Sequence, residues 1–377
     1  MKIVIAPDSF KNCMSAAEAA EAIREGLAQA LSHAEFDLIP MADGGEDTVR
    51  ALVDATGGTL HAVEAADPLA RPIQATYGIL GDGETAVIEM AAASGIHLVD
   101  DAAKNPLEAT TYGTGQLMRA ALDAGAKRLI LGIGGSATND GGVGMAEALG
   151  ARFLDENGRP IARGGGHLDW LRTIDRSGID PRLADTAILI ASDVTNPLTG
   201  PDGASAVVGP QKGADPDMVR RLDANLAHYV AVIADQIGRD VVRMPGAGAG
   251  LLAFTDAVMD SGVRIVARTV RLAEHARDAD YCITGEGGID FQTGYGKTPM
   301  GVAQAVHEGN PGIHVIALAG CVGEGVETLY ELGVDAVFGI VPAAMPLERA
   351  IAQGRANLVR TARNVGRVVA MCAEVML

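Results

Sequence analysis

Both ends of the chain repeat short apolar runs, polar glycine-bearing loops and amphipathic stretches, and a chain with this rhythm builds a parallel sheet covered by helices. Ile3-Val4-Ile5-Ala6 reads as a buried strand that Pro7 ends, which leaves Asp8-Ser9-Phe10-Lys11 at the carboxyl edge where open α/β sheets hold ligands. Ser15 and Glu18 form a capping-box pair, and Ala20, Ile23, Leu27 and Leu31 follow at spacings of three and four on one helical face. Residues 36–41 predict a second strand, then the polar loop Ala42-Asp43-Gly44-Gly45-Glu46-Asp47-Thr48 and a helix through Val49, Leu52 and Val53.

Between about 70 and 90 the pattern changes to two short strands, 75–80 and 85–90, joined by Gly81-Asp82-Gly83. Further strands are expected at 128–133 and 187–191, each running into a Gly- or Asn-rich loop. After about residue 278 the first rhythm returns, with strands at 281–284, 314–318 and 336–341. At 377 residues the chain also exceeds the size of one comfortable core. The expectation is therefore an α/β protein of two α/β domains. One is doubly wound, Rossmann-like and discontinuous (1–69 and 278–377), and the second is inserted between its parts (70–277).

The 30 Lys and Arg against 48 Asp and Glu give a net charge of −18, which repels nucleic-acid phosphates, and no basic run offsets it. A small anionic substrate then needs a locally positive cleft built from a few lysines and backbone N–H groups. Cys13, Cys282, Cys321 and Cys372 are scattered with no CxxC pair, which argues against a zinc ribbon or a disulfide framework and for a reducing cytoplasm. The opening apolar run is too short for a signal peptide, and no stretch reaches membrane-spanning length. A homodimer is left open.

Two familiar motifs are imitated and not met. Gly294-Tyr295-Gly296-Lys297-Thr298 resembles the end of a phosphate-binding P-loop, but Phe291 stands where its first glycine belongs. Gly132-Ile133-Gly134-Gly135-Ser136-Ala137 follows a predicted strand and matches a relaxed dinucleotide fingerprint, which makes an NAD-dependent dehydrogenase a rival. The match lies mid-chain and continues as Thr138-Asn139-Asp140-Gly141-Gly142, so a loop for phosphate or carboxylate is preferred. The eight histidines show no metal-ligand spacing, and no G-x-S-x-G elbow is present.

What remains is charged side chains among glycines at strand ends, a combination that suits phosphoryl transfer. That reaction needs a carboxylate to orient or deprotonate the acceptor hydroxyl, carboxylates for a metal, and lysines and N–H groups to absorb phosphate charge. Several segments in order resemble the bacterial glycerate kinase family, in its glycerate 2-kinase branch. They are Ala6-Pro7-Asp8-Ser9-Phe10-Lys11, Ala42-Asp43-Gly44-Gly45-Glu46, the glycine loop 132–142, Asp193-Val194-Thr195-Asn196-Pro197-Leu198, Gly209-Pro210-Gln211-Lys212-Gly213, and Thr284-Gly285-Glu286-Gly287 with Gly296-Lys297-Thr298-Pro299. The resemblance implies two α/β domains, ATP and Mg²⁺ as co-substrates, and D-glycerate as acceptor.

The catalytic candidates are Asp193, Lys11 and Asp43. Asp193 ends a strand before Thr195-Asn196-Pro197, and it is read as either the base or a Mg²⁺ ligand, against an ordinary Asx turn. Lys11 would bind a carboxylate or the transferred phosphate, and the glycines after Asp43 let a ligand approach the backbone. Asp8, Ser9, Gly44, Gly45, Asn196, Glu286, Asp290 and Lys297 are the substrate-binding candidates. Gly134, Gly135, Ser136, Thr138, Asn139 and Asp140 are the candidates for cradling the nucleotide phosphates.

The chain also departs from the family it resembles. Gly288 stands where an arginine is usual, Tyr295 replaces a common histidine, and the glycine-rich stretch 245–252 is shorter than the usual form. A kinase for a related hydroxy acid, or a weakened homologue that binds ligand without efficient transfer, are therefore alternatives to a glycerate kinase.

Overall fold

The computed structural model describes residues 1–45, 47–192, 196–241 and 248–375. In chain order its strands are β1 (Lys2–Ile5), β2 (Glu35–Leu38), β3 (Thr59–Ala66), β4 (Pro72–Ile79), β5 (Thr85–Glu89), β6 (Arg128–Gly132), β7 (Arg152–Leu154), β8 (Thr173–Asp175), β9 (Ala187–Ala191), β10 (Val258–Asp260), β11 (Tyr281–Ile289), β12 (His314–Val322) and β13 (Ala336–Gly339). The chain divides into two compact units. The first comprises Met1–Asp43, Arg50–Thr56 and the chain from Ser261 onward; the second comprises Gly44–Val49 and Gly57–Asp260.

The first unit is a parallel sheet in the order β13-β12-β11-β1-β2. Ile3 and Ile5 lie opposite Tyr281 and Ile283, so the first apolar run of the sequence pairs with one that arrives late in the chain. Within this unit the strand order reverses between β1 and β11, which makes their carboxyl ends the switch point where doubly wound sheets bind ligands. The helix Ala16–Ala28 begins at the expected capping box, with Ser15 N donating to Glu18 Oε2 at 2.9 Å and Glu18 N donating to Ser15 Oγ at 3.3 Å. Its buried Ile23 and Leu27 join Leu358, Ala362 and Val365 of the helix Gly354–Val375 in one core. Gly26 allows that approach, since a Cβ there would come within 2.3 Å of Val359 O.

The second unit holds a mixed sheet, β10-β9-β6-β5-β4-β3. β5, β6, β9 and β10 run parallel, whereas β3, β4 and β5 pair antiparallel. The expected hairpin is present: Asp82 Oδ1 accepts from Glu84 N and Thr85 N at 2.9 and 2.8 Å, and Gly83 turns the chain at φ 70°. Ile88, Leu129 and Leu131 of the sheet pack with Leu117 and Met118 of the helix Tyr112–Asp123. A second core gathers Leu226, Tyr229 and Ile233 of the helix Pro216–Ile237 with Phe153 of β7 and Ile174 of β8.

The doubly wound α/β expectation holds, while β3, β7, β8 and β10 were not expected and β11 is longer than expected. β3 is mostly exposed, so its sequence carries little of the apolar alternation that marks a half-buried strand. β11 runs on to Ile289, where residues 281–284 alone were expected, because Gly285, Gly287 and Gly288 read as loop. Two of these glycines are in ladder register, Gly285 opposite Leu318 and Gly288 opposite Cys321, and Ile289 lies opposite Val322.

Candidate active site

In the first unit, the functional side chains gather at the switch point of the sheet. Asp8 follows β1 directly, and its N–H donates to Gly285 O of β11 at 2.8 Å, which fixes the loop against the neighbouring strand. Only 8% of Asp8 is exposed. Its Oδ1 accepts from Ser9 N at 2.6 Å and its Oδ2 accepts from Thr298 Oγ1 at 2.5 Å. Burial pushes its pKa up to about 6, the charge of Asp43 adds to this, and the Thr298 and Ser9 hydrogen bonds and Lys11 oppose it.

Glu286 sits within β11, on a rigid strand and not in the loop that the glycines suggested. Burial pushes its pKa up to about 7; Lys297 opposes that shift, while Asp8 and Asp43 reinforce it. Thr293 Oγ1 donates to it at 3.4 Å. Asp290 caps the short helix Phe291–Tyr295 by accepting from Gln292 N at 2.9 Å, and Lys297 Nζ lies 3.8 Å from Asp290 Oδ1. Lys297 is the N-cap of the helix Thr298–Gly309, so a cation and a positive helix end coincide there. Asp8, Ser9, Lys11, Asp43, Glu286, Asp290 and Lys297 thus form one neighbourhood, four acids interleaved with two lysines.

In the second unit, the loop after β6 lines a cavity of about 350 Å³ together with Asn196, Gln211 and Lys212. Gly134 and Gly135 are exposed on it, Gly135 with φ 69°. The glycine pair 44 and 45 lies against the start of this loop: a Cβ on Gly132 would come within 2.3 Å of Gly44 O, and one on Gly134 within 3.4 Å of Gly45 Cα. Close backbone approach therefore accounts for glycine at position 132, and a φ of 87° accounts for it at position 44. Asn139 Nδ2 donates to Ser205 Oγ at 3.1 Å, and Asn196 Nδ2 to Asp202 O at 3.1 Å.

Asp140 organises this loop. Its Oδ2 accepts from Thr111 N at 2.8 Å, Thr111 Oγ1 at 2.9 Å and Gly144 N at 3.2 Å, and its Oδ1 accepts from Gly142 N at 3.1 Å. A carboxylate so fully used by donors is a scaffold for the loop.

Lys212 is the residue that sequence reading passed over, although it stood in the quoted segment 209–213. It is 7% exposed, and its Nζ donates to Ser136 Oγ at 2.8 Å and to Thr138 O at 2.6 Å. Burial pushes its pKa down to about 8, and the charge of Asp140 opposes that. Both of its hydrogen-bond partners among the described residues are neutral, so a buried cation lines the cavity without a carboxylate bonded to it. An anion in that cavity would supply the missing charge. Thr298 was likewise missed, because a threonine before a proline reads as an ordinary helix start. Asp193 lies outside the described residues. Among the described residues no group of three or more His, Cys, Asp or Glu is arranged to hold a metal ion, and no helix is long and apolar enough to cross a membrane.

A doubly wound sheet with acids and lysines at its switch point, and a glycine loop around a buried lysine, together define an α/β protein built to handle small anions. A model of the glycerate kinase family matches residues 3–370. The chain is 50% identical over 372 residues to a glycerate kinase of Halalkalibacterium halodurans, covering 97% of each. It is 46% identical over 377 residues to the glycerate 2-kinase of Escherichia coli, covering 98% of each. The crystal structure of a protein described as glycerate kinase 2 from Salmonella typhimurium LT2 superposes with a TM-score of 0.89 at 47% identity, over 100% of both chains. The chain belongs to the glycerate kinase family. Membership of a kinase family implies ATP as the co-substrate, and it displaces the dehydrogenase reading of the loop after β6.

Proposed function

We propose that this chain transfers the γ-phosphoryl group of ATP to a hydroxyl of D-glycerate, giving 2-phosphoglycerate. The family match across residues 3–370 is the observation that carries this reading, and the chemistry of both sites agrees with it. In the transfer, the acceptor oxygen forms a bond to the γ-phosphorus, the bond to the β,γ-bridging oxygen breaks, and ADP leaves with that oxygen. The hydroxyl proton passes to a carboxylate, and Asp193, which follows the apolar run 187–191 in the sequence, is assigned either this role or that of a Mg²⁺ ligand. Lys11 and Lys297 stabilise negative charge on the phosphates, and Lys212 holds an anionic group against the glycine loop.

Mg²⁺ bound by nucleotide phosphates needs only one or two protein carboxylates. Although Asp8, Asp43 and Glu286 form no ready-made metal cluster, one or two of them would meet that demand, since the charge of Asp43 reaches both of the others. A cation held there would offset their repulsion of phosphate. The free cysteines among the described residues suit a cytoplasmic enzyme.

The test is incubation with Mg·ATP and D-glycerate, tartronate, erythronate or lactate, with the product identified by phosphorus NMR. Transfer to the 2-hydroxyl of D-glycerate is expected. A preference for another acid would replace the substrate, and no transfer to any of them would reject the kinase reading.

A further inference from the structure

A second cavity, of about 700 Å³, opens in the first unit over the carboxyl edge of its sheet. Phe10 and Lys11 after β1, Gly287 of β11, Gly320 of β12 and Gly339 of β13 line it, and Leu347 of the helix Leu347–Ala352 closes one side. Its volume is that of a pocket for a nucleoside-sized ligand, far beyond the needs of a three-carbon acid. The chemistry of its wall points the same way. Lys11 and Asn12 are its only charged or amide-bearing side chains among the described residues, the rest being apolar, thiol or glycine. A carboxylate with two hydroxyls buried there would lose its water without finding partners, whereas a flat heteroaromatic base loses little.

The cavity also shares Lys11 with the neighbourhood of acids and lysines. Lys11 lines the cavity and acts on the charge of Asp8, and Gly287 of the wall directly follows Glu286. Gly287 carries Lys11 close by, since a Cβ there would meet Lys11 N at 3.5 Å; Gly320 admits no side chain, since its Cβ would come within 2.4 Å of Gly287 O. A ligand with an apolar end and a polyanionic end can therefore place the first in the cavity and the second beside Lys11.

We infer that this cavity is the nucleoside pocket of the protein: it takes the base and ribose of the phosphoryl donor, with the phosphates beside Lys11. The inference rests on the kinase reading and goes beyond it. It moves the base away from the glycine loop after β6 and leaves the cavity at Lys212 to a smaller anion.

Two measurements on the full chain test it. Ala350→Trp fills the cavity from its helical wall. It should weaken ADP binding in calorimetry by about tenfold or more while D-glycerate binding stays within about twofold. Unchanged ADP affinity in a folded variant, or weakening of D-glycerate alone, would overturn the proposal. In the unmutated protein, adenosine should slow alkylation of Cys321, which lines the same cavity, and pyrophosphate should not; intact peptides read by mass spectrometry separate it from the other thiols. If adenosine and ADP both leave Cys321 unprotected, the pocket is elsewhere, whether or not the tryptophan variant folds. Protection by adenosine without any phosphoryl transfer to D-glycerate would sink the substrate and keep the pocket. Transfer without protection would do the reverse.

Discussion

Thr298 Oγ1 donates to Asp8 Oδ2 at 2.5 Å, a bond between residues 290 positions apart that ties the start of the helix Thr298–Gly309 to the loop after β1. Asp8 is buried beside another acid, and this donor is one of the few groups that favour its charged form. Thr298→Val keeps the shape and removes the donor, so the pKa of Asp8 should rise above its present value of about 6. The acid limb of the kcat/KM profile should then move up by about one to two pH units, the worth of a hydrogen bond to a charged group, with activity at pH 7 lower by roughly twofold to tenfold. An acid limb that stays in place would show that Asp8 does not titrate in the reaction.

Lys212 offers a separation of function from stability. A buried cation with neutral partners opposes folding, so Lys212→Met should leave the melting temperature unchanged or raise it. Transfer should nevertheless fall by about a hundredfold or more, through loss of charge in the glycine-loop cavity. Because the folded pKa is depressed to about 8 from 10.5, the folded state releases this proton first. The contribution of Lys212 therefore makes the protein more stable as pH rises from 8 towards 10.5, while an anion held by its charge binds more weakly over the same range. A variant that melts early but binds its anion normally would make Lys212 a structural residue.

How far the sequence could be read depended on how local the cause was. The capping box at Ser15 and Glu18, the apolar run of β1 and the hairpin around Asp82 are set by neighbours within a few positions, and all were legible. β11 was cut short because its glycines signal a loop locally, while their strand conformation comes from pairing with β12 about 30 positions later. At the sites, charged residues among glycines marked loops that the structure places at the switch point of the first sheet and around the cavity of the second unit. Their division of labour was not legible, because Asp140 as a scaffold, Lys212 as a buried cation and Thr298 as the partner of Asp8 all depend on residues brought from 29 to 290 positions away. The expected role of Asp193 falls outside the described residues.

Glu286 links pH to stability with a definite sign. Its folded pKa of about 7 exceeds the ordinary 4.5, with burial the main cause. Below about pH 4.5 both folded and unfolded chains carry the proton. Between there and pH 7 the unfolded chain has released it and the folded chain has not, so stability falls as pH rises. Glu286→Gln mimics the protonated form. It should melt with the unmutated protein at pH 4 and above it at pH 8, by a margin on the order of 1 kcal/mol in metal-free buffer. Equal melting at both pH values would show that the carboxyl group is not held protonated.

Gly288 tests what a missing guanidinium does. It lies in β11 opposite Cys321, its φ is not in the left-handed region, and a Cβ built on it meets no atom within 4 Å. Gly288→Arg should therefore fold without strain, and the loss of glycine's freedom in the unfolded chain should stabilise the protein by about 0.4–1 kcal/mol. The new side chain starts two residues from Glu286 and one from Gly287, beside the acids whose charge works against a phosphate. As a planar fork of donors it should lower the KM for the anionic ligand held there by roughly threefold to tenfold, less than a fully buried charged hydrogen bond because the position is exposed. Separate KM values for ATP and for D-glycerate identify that ligand, since only one should fall. If neither moves while the melting temperature holds, the arginine usual at this position is dispensable to this chain, and its absence marks no change in substrate.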